Sequence, residues 1–257
     1  MEMTGDREED MGRQSGRIAV ITGGASGIGQ AFAKRLTEDG AAVAVADVKD
    51  AAETRAFVEA AGGKFYSAIC DVTDPAQVSR FADGVKAALG DADILVNNVG
   101  IFPLKPFDDI TVEDWKQINA INVDSSFYFA KAFVPGMRAK KWGRIVNLTS
   151  TVNWLMIPNY VHYITTKSAA IGFTRGLANE LGKEGITVNA IAPALVRNAT
   201  TEASPLKDMF EVIPSMQAIP RLQVPDDLAG TLSFLVSDDA AFVTGQTIAV
   251  DGGLTKG

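Results

Sequence analysis

The chain has 257 residues, 47% hydrophobic and 21% charged, a globular composition long enough for one large α/β domain and unlike that of a disordered chain. A formal charge of −7, with no run of Lys or Arg, argues against a nucleic-acid binder or a protein held on anionic membranes. One Cys and one His leave neither an intrachain disulfide nor a Cys/His zinc cage to consider, and no metal site is expected. Residues 1–16, "MEMTGDREEDMGRQSG", are polar and acidic without the basic start and apolar stretch of a signal peptide. They read as a disordered lead-in or an expression remnant ahead of one domain spanning 17–257. No apolar run is long enough to cross a bilayer, so a soluble cytoplasmic protein is expected.

Seven short apolar runs follow in order: "RIAVIT" from Arg17, "AAVAVA" from Ala41, "KFYSAIC" from Lys64, "DILVNN" from Asp93, "GRIVNLT" from Gly143, "ITVNAIA" from Ile186 and "TIAV" from Thr247. Their near-continuous apolar character suits strands covered on both faces. Between them lie amphipathic segments. "GIGQAFAKRLTED" sets Ile28, Phe32 and Leu36 on one stripe, and "DPAQVSRFADGVKAAL" opens with Asp74 as N-cap and Pro75 at the first helical position. Two longer segments, "TVEDWKQINAINVDSSFYFAKAFVPGM" and "NYVHYITTKSAAIGFTRGLANEL", also read as helical. Strand and helix in alternation predict a single-domain, doubly wound, seven-stranded parallel sheet with helices on both faces. The rhythm breaks after the sixth strand. Residues 194–225 have no clean period, many prolines, and apolar residues Leu206, Met209, Phe210, Ile213 and Met216, which fits a lid over something greasy better than a plain surface excursion.

Directly after the first strand, "TGGASGIG" opens a helix. Gly23 permits a tight exit from the strand, Gly27 leaves room for a pyrophosphate, and Gly29 lets helix and strand pack closely, with Ser26 and Ile28 between them. The anion would rest at the helix N-terminus. A glycine pattern alone is weak evidence, but its place between strand and helix strengthens it. Asp47, at the end of the second strand, is placed to hold a ribose diol and to repel a 2′-phosphate, with Val48 beside it. NAD is therefore expected over NADP. At the third strand's end Asp71 and Val72, and at the fourth's Asn98 and Gly100 in "NNVG", fall at the same edge, the carboxyl ends where such sheets bind ligands.

The ordered motifs "TGGASGIG", "NNVG", "INVDSSF", "VNLTS", "YITTK", "NAIAPALV" and "GQTIAVDGG" resemble the short-chain dehydrogenase/reductase family over essentially the whole chain after Gly16. The resemblance implies a catalytic group of Asn122, Ser150, Tyr163 and Lys167. It gives Lys167 a hold on the nicotinamide ribose as well, and gives Asn122 a helix interruption and a water in a proton relay from Lys167 to solvent. Pro193, Ala194, Val196 and Asn198 would meet the nicotinamide end, although Ala194 and Asn198 replace the usual Gly and Thr. It also implies a homotetramer, with the two long helices and the C-terminal segment as contacts.

The chemistry is consistent with the residues. A free phenol has a pKa of about 10, and bringing it near 7 asks for about 4 kcal/mol. Tyr163 and Lys167 stand one helical turn apart, so the ammonium is expected to favour the phenolate, as would a cationic nicotinamide. Ser150 would donate to the substrate oxygen. Tyr-x-x-x-Lys is common by chance and gains weight only with the glycine turn and Ser150 in order. Asn119 competes with Asn122, and Thr149 with Ser150. His162 reads as a packing or surface residue, and Cys70 as a small apolar residue ending a strand.

Substrate contacts are expected from Ser150, Asn153, Trp154, Tyr160, Tyr163, Met209 and Phe210, with Asn153 crowding an entrance where the family often has Gly. Phe102, Pro103, Leu104, Leu155 and Met156 are further candidates. If these face the cleft rather than a neighbouring subunit, a hydrophobic or aryl secondary alcohol, or its ketone, fits better than a sugar or a multiply charged acid. Competing readings are a 3-oxoacyl reductase, a pyridoxal-type dehydrogenase and a non-catalytic NAD-binding regulator.

Overall fold

The computed structural model describes residues 12–155 and 157–255. The strands are β1 (Ile18–Thr22), β2 (Ala42–Asp47), β3 (Phe65–Ile69), β4 (Ile94–Asn97), β5 (Gly143–Leu148), β6 (Ile186–Pro193) and β7 (Thr247–Val250). They form one sheet in the order β3-β2-β1-β4-β5-β6-β7, with each neighbouring pair parallel. All seven expected strands are present, and their connections supply the helices. These are α1 (Gly27–Glu38), α2 (Ala52–Ala60), α3 (Pro75–Ala88), α4 (Val112–Asn119), α5 (Ser125–Lys140), α6 (Val161–Leu181), the short α7 (Ala199–Glu202) and α8 (Val212–Met216), and α9 (Asp226–Leu235).

Alternation along each strand divides the core into two layers. Ala19 and Ile21 of β1, Val43 and Val45 of β2, and Ile94 and Val96 of β4 face Phe32 and Leu36 of α1 and Leu228, Leu232 and Leu235 of α9. Val20, Ala44 and Leu95 face the other way, onto Phe81 of α3, Phe129, Phe133 and Met137 of α5, and Leu181 of α6. Because β1, β2 and β4 are covered on both faces, they read as near-continuous apolar runs, whereas the edge strands β3 and β7 are only partly covered.

Local chemistry sets several helix ends. Asp74 accepts hydrogen bonds from the N–H groups of Ala76 and Gln77, and Pro75 needs no partner at the first position, so α3 begins where the sequence predicts. The long segment through Asn122 is one helix interrupted by a π turn over Ala120–Asp124, and α5 continues past Pro135 to Lys141, which closes it in the left-handed region (φ 53°).

One boundary differs from the sequence reading. Residues 12–16, assigned there to the lead-in, form a turn in which Gln14 is buried, its N–H donating to the carbonyl of Asp39 at 2.7 Å and its amide to that of Ser233 at 3.5 Å. The ordered body therefore begins ahead of β1, because this turn covers the ends of α1 and α9. Residues 1–11 of the lead-in lie outside the described residues.

Candidate active site

The strand order reverses between β1 and β4, and the carboxyl ends of the strands open there into a crevice. The glycine-rich turn leaves β1 at Gly23 (φ +68°) and enters α1 at Gly27 (φ +58°), backbone angles that only glycine adopts without strain. A side chain on Gly29 would lie 2.2 Å from the carbonyl oxygen of Gly23, so close contact between turn and helix excludes any larger residue. Above Gly27 the nearest groups are the amide atoms of Asn198, 3.7 Å away from where a Cβ would be, and Ser26 makes no side-chain bond to the first turn of α1. Open N–H groups at a helix start beneath a clear cradle fit a dinucleotide phosphate.

The acids around this turn are partly committed. Asp47 accepts from the N–H of Ala25 at 3.0 Å and of Lys49 at 2.9 Å, fastening the end of β2 to the glycine turn, while Val48 beside it is exposed. Asp71 accepts from both the N–H and the hydroxyl of Thr73, and Val72 is buried. The Asn98 amide donates to the carbonyls of Thr22 and Gly23, and the Thr22 hydroxyl accepts from the N–H groups of Asn98 and Val99. Asn98 thus locks β4 to β1. That function follows from pairing across the sheet and has no signature in the local sequence.

A cavity of about 570 Å³ continues from this cradle, and Ser150, Tyr163 and Lys167 share its wall with Asn98, Gly100, Ile28, Pro193, Ala194, Val196 and Asn198. Ser150 lies two residues past β5, in an extended conformation (φ −161°) at the start of a 3₁₀ turn over Thr151–Trp154, while Tyr163 and Lys167 project from α6. Lys167 Nζ donates to the carbonyl of Leu148 at 2.9 Å and lies 5.8 Å from the centroid of the Tyr163 ring. A Cβ on Gly100 would fall 3.1 Å from that nitrogen and 3.4 Å from Asn122 Oδ1, so Gly100 keeps the space between them open. Asn122 itself sits in the π turn. Its Oδ1 accepts from the N–H of Ile101 at 2.8 Å, and its Nδ2 donates to the carbonyl of Ile101 at 2.9 Å and to the hydroxyl of Thr166 at 3.0 Å.

The electrostatics depart from the sequence expectation. Burial pushes the Tyr163 phenol up to about 12, opposed by the hydrogen bond from Ser150, and burial pulls the Lys167 amine down to about 8. Withdrawal from water disfavours both charged forms, and Ser150 rather than Lys167 is the group that favours the phenolate. The lysine alone does not bring the tyrosine near neutrality.

The expected substrate residues divide. Tyr160 and Met209 join Ser150 and Tyr163 in the cavity wall; Asn153, Trp154 and Phe210 do not. Trp154 is exposed at the surface, and the Asn153 amide is turned onto Thr149, Ser150 and Ser168, away from the entrance it was expected to crowd. The Tyr160 ring stands 5.0 Å from that of Tyr163, and Phe102 meets Tyr163 edge-on at 6.4 Å. The irregular segment after β6 folds over the cavity as α7, a 3₁₀ turn over Pro205–Met209, and α8, bringing in Leu206, Met209, Ile213 and Met216. The sequence did not mark Val152, Ile157, Thr201 or Leu254, which also line it. Leu254 arrives from beyond β7, where Asp251 accepts from the N–H groups of Gly253 and Thr255 and fixes the turn. Among the described residues there is no cluster of His, Cys, Asp or Glu that could hold a metal, and no helix is long and apolar enough to cross a membrane.

A parallel sheet with a glycine-rich phosphate turn at its switch point, and a buried Ser150 and Lys167 with a half-buried Tyr163 beside it, defines a dinucleotide-dependent oxidoreductase architecture. The family model described as "Enoyl-(Acyl carrier protein) reductase" matches residues 23–255. The chain is 38% identical to the L-2,3-butanediol dehydrogenase of Corynebacterium glutamicum, covering 93% of this chain and 98% of that protein. It is 39% identical to the (2S)-[(R)-hydroxy(phenyl)methyl]succinyl-CoA dehydrogenase subunit BbsD of Thauera aromatica, covering 95% and 98%. A solved short-chain type dehydrogenase/reductase from Mycobacterium marinum superposes with a TM-score of 0.91 at 32% identity, covering 96% of this chain and 99% of that one. The chain belongs to the short-chain dehydrogenase/reductase family, an oxidoreductase family that uses nicotinamide cofactors.

Proposed function

We propose that the protein interconverts a hydrophobic, aryl-bearing secondary alcohol and its ketone with NAD(H). The observation that carries this reading is the pairing of the Tyr163 phenol and Ser150 hydroxyl with an apolar cavity whose only charged side chain, among the described residues, is Lys167. An uncharged substrate with a flat apolar group satisfies such a wall; a multiply charged one would leave its charges unpaired. The phenyl carbinol in the name of the Thauera relative supports the aryl carbinol part of this reading, although it is borne there on a charged succinyl-CoA thioester.

Oxidised nicotinamide, when bound, would supply the hydride acceptor and a positive charge beside the phenol. Tyr163 would take the hydroxyl proton of the alcohol, and in the reverse direction its phenol would return that proton to the ketone oxygen. Ser150 donates to the same oxygen and favours the phenolate. Lys167 holds the ribose and adds its charge to the site. Asn122 pins the neighbouring loop and opens the helix for a proton route to solvent. Asp47 favours NAD over NADP, because a carboxylate at the ribose repels a 2′-phosphate. The family resemblance extends the proposal to a cytoplasmic homotetramer.

The test is NADH absorbance over a panel of aryl and alkyl secondary alcohols. Turnover should be strongest with carbinols such as 1-phenylethanol, and Tyr163→Phe should reduce it by about 10²–10⁴-fold while the protein stays folded. Near-normal turnover in that variant would end the proposal. A preference for 3-oxoacyl thioesters would instead favour the 3-oxoacyl reductase reading. Asp47→Ala should narrow the discrimination against NADP, as measured by kcat/KM with each cofactor.

A further inference from the structure

Tyr163 and Lys167 ride on α6, whereas Ser150 stands two residues past β5, so their mutual spacing depends on what joins strand to helix. Two direct ties run between them. Lys167 Nζ donates to the carbonyl of Leu148, and the Thr149 hydroxyl donates to the carbonyl of Lys167 at 2.7 Å. Asn153 supplies the rest. Its Nδ2 donates to the Thr149 hydroxyl at 3.0 Å and to the carbonyl of Ser150 at 2.9 Å, while its Oδ1 accepts from the Ser168 hydroxyl at 2.8 Å. Both amide hydrogens and the amide oxygen are engaged, on residues before it in the chain and on the helix beyond. The Asn153 N–H reaches the same Ser150 carbonyl only at 3.4 Å, so the side chain is the closer hold. Since Asn153 is absent from the cavity wall, substrate contact does not account for it.

We propose that Asn153 is a positioning residue, its amide clamping the Ser150 carbonyl and the Thr149 hydroxyl onto α6 and so fixing the Ser150 hydroxyl against the Tyr163 phenol. This rests on the reading of Ser150, Tyr163 and Lys167 as the reacting group. Loss of the clamp lets Ser150 shift relative to the phenol, and displacements of about 1 Å in such sites slow turnover by on the order of 100-fold. It also weakens the hydrogen bond that favours the phenolate, so the pH at which alcohol oxidation gains its active base moves upward.

The experiment compares wild type with Asn153→Ala, Asn153→Asp and Ser168→Ala, using NAD with 1-phenylethanol and 2,3-butanediol as probes. Asn153→Asp keeps the shape and still accepts from Ser168, but it has no hydrogens for the Ser150 carbonyl and repels it. Both Asn153 variants should lose on the order of ten- to hundredfold in kcat with KM for NAD within about twofold, and their pH–rate profiles should shift to higher pH. Ser168→Ala should show a smaller loss in the same direction. A purely structural amide would lower the unfolding temperature and leave kcat and the pH profile in place; that result overturns the proposal. Tyr163→Phe, measured alongside, separates the two readings. If it is inactive while the Asn153 variants behave as wild type, only the positioning role falls; if it retains turnover, the assignment of the reacting group falls with it.

Discussion

His162 immediately precedes Tyr163 on α6 and is completely buried, with neither ring nitrogen hydrogen-bonded to any described residue. Burial pulls its pKa below the ordinary 6.5, with Asp114 opposing and Lys105 reinforcing the shift. Those two residues are themselves ion-paired on the loop and helix packed against this part of α6. Because the folded imidazole resists protonation more than the unfolded one, the unfolded chain binds the extra proton, and stability is full above about pH 6.5 and declines below it. The slope from this group approaches about 1.4 kcal/mol per pH unit until the folded pKa is passed. His162→Leu should therefore flatten the acid side of the stability profile, read as urea midpoints between pH 5 and 7.5; an unchanged slope would mean that His162 is not the titrating group. The sequence left this residue between packing and surface, because neighbours on a helix face different ways and only the packing of α4 decides. Asn153 escaped for a related reason. Its position beside Ser150 suggested the entrance, while the direction of its amide depends on Ser168, fifteen positions later in the chain.

At the level of elements, the strand–helix alternation was legible because β1, β2 and β4, covered on both faces, are compact apolar runs, and because caps such as Asp74-Pro75 are local chemistry. The segment after β6 was not legible as structure. Its turns are too short to show a period, and their apolar residues are spaced to fit the cavity. The π turn makes a sharper claim. The Asn122 side chain satisfies both the N–H and the carbonyl of Ile101, pinning the loop after β4 to the helix. Asn122→Leu would leave two part-buried backbone groups of Ile101 without these partners. A loss of about 2 kcal/mol in unfolding free energy is expected, from roughly 1–3 kcal/mol per orphaned group, together with a fall in kcat. Full stability in that variant would show that water or a rearranged loop replaces the bonds.

Over the whole molecule, the candidate site occupies one end of the sheet and a cluster of arginines around Trp142 the other. The cradle and cavity lie at the carboxyl ends. At the other ends the Trp142 ring is sandwiched between the guanidinium groups of Arg17, at 3.6 Å, and Arg144, at 4.3 Å, and its indole N–H donates to Asp238. Arg144 is buried there, with carbonyls of Gly143, Gly185 and Ser237 around it. Trp142→Ala should lower unfolding free energy by about 2–4 kcal/mol, through lost aromatic burial and two lost cation–π contacts, and leave kcat/KM unchanged. A change in kinetics would show that the two ends are coupled.

Leu254 gives the chain order a consequence for truncation. The phosphate cradle is built from β1, α1 and β2 with Asn98 and Asn198 beside it, but the chamber beside Tyr163 lacks one of its panels until the turn after the last strand is laid down. The last few residues of the chain thus close a chamber whose catalytic wall was laid down about ninety residues earlier, and a deletion just before Leu254 would open that chamber while leaving the glycine turn in place.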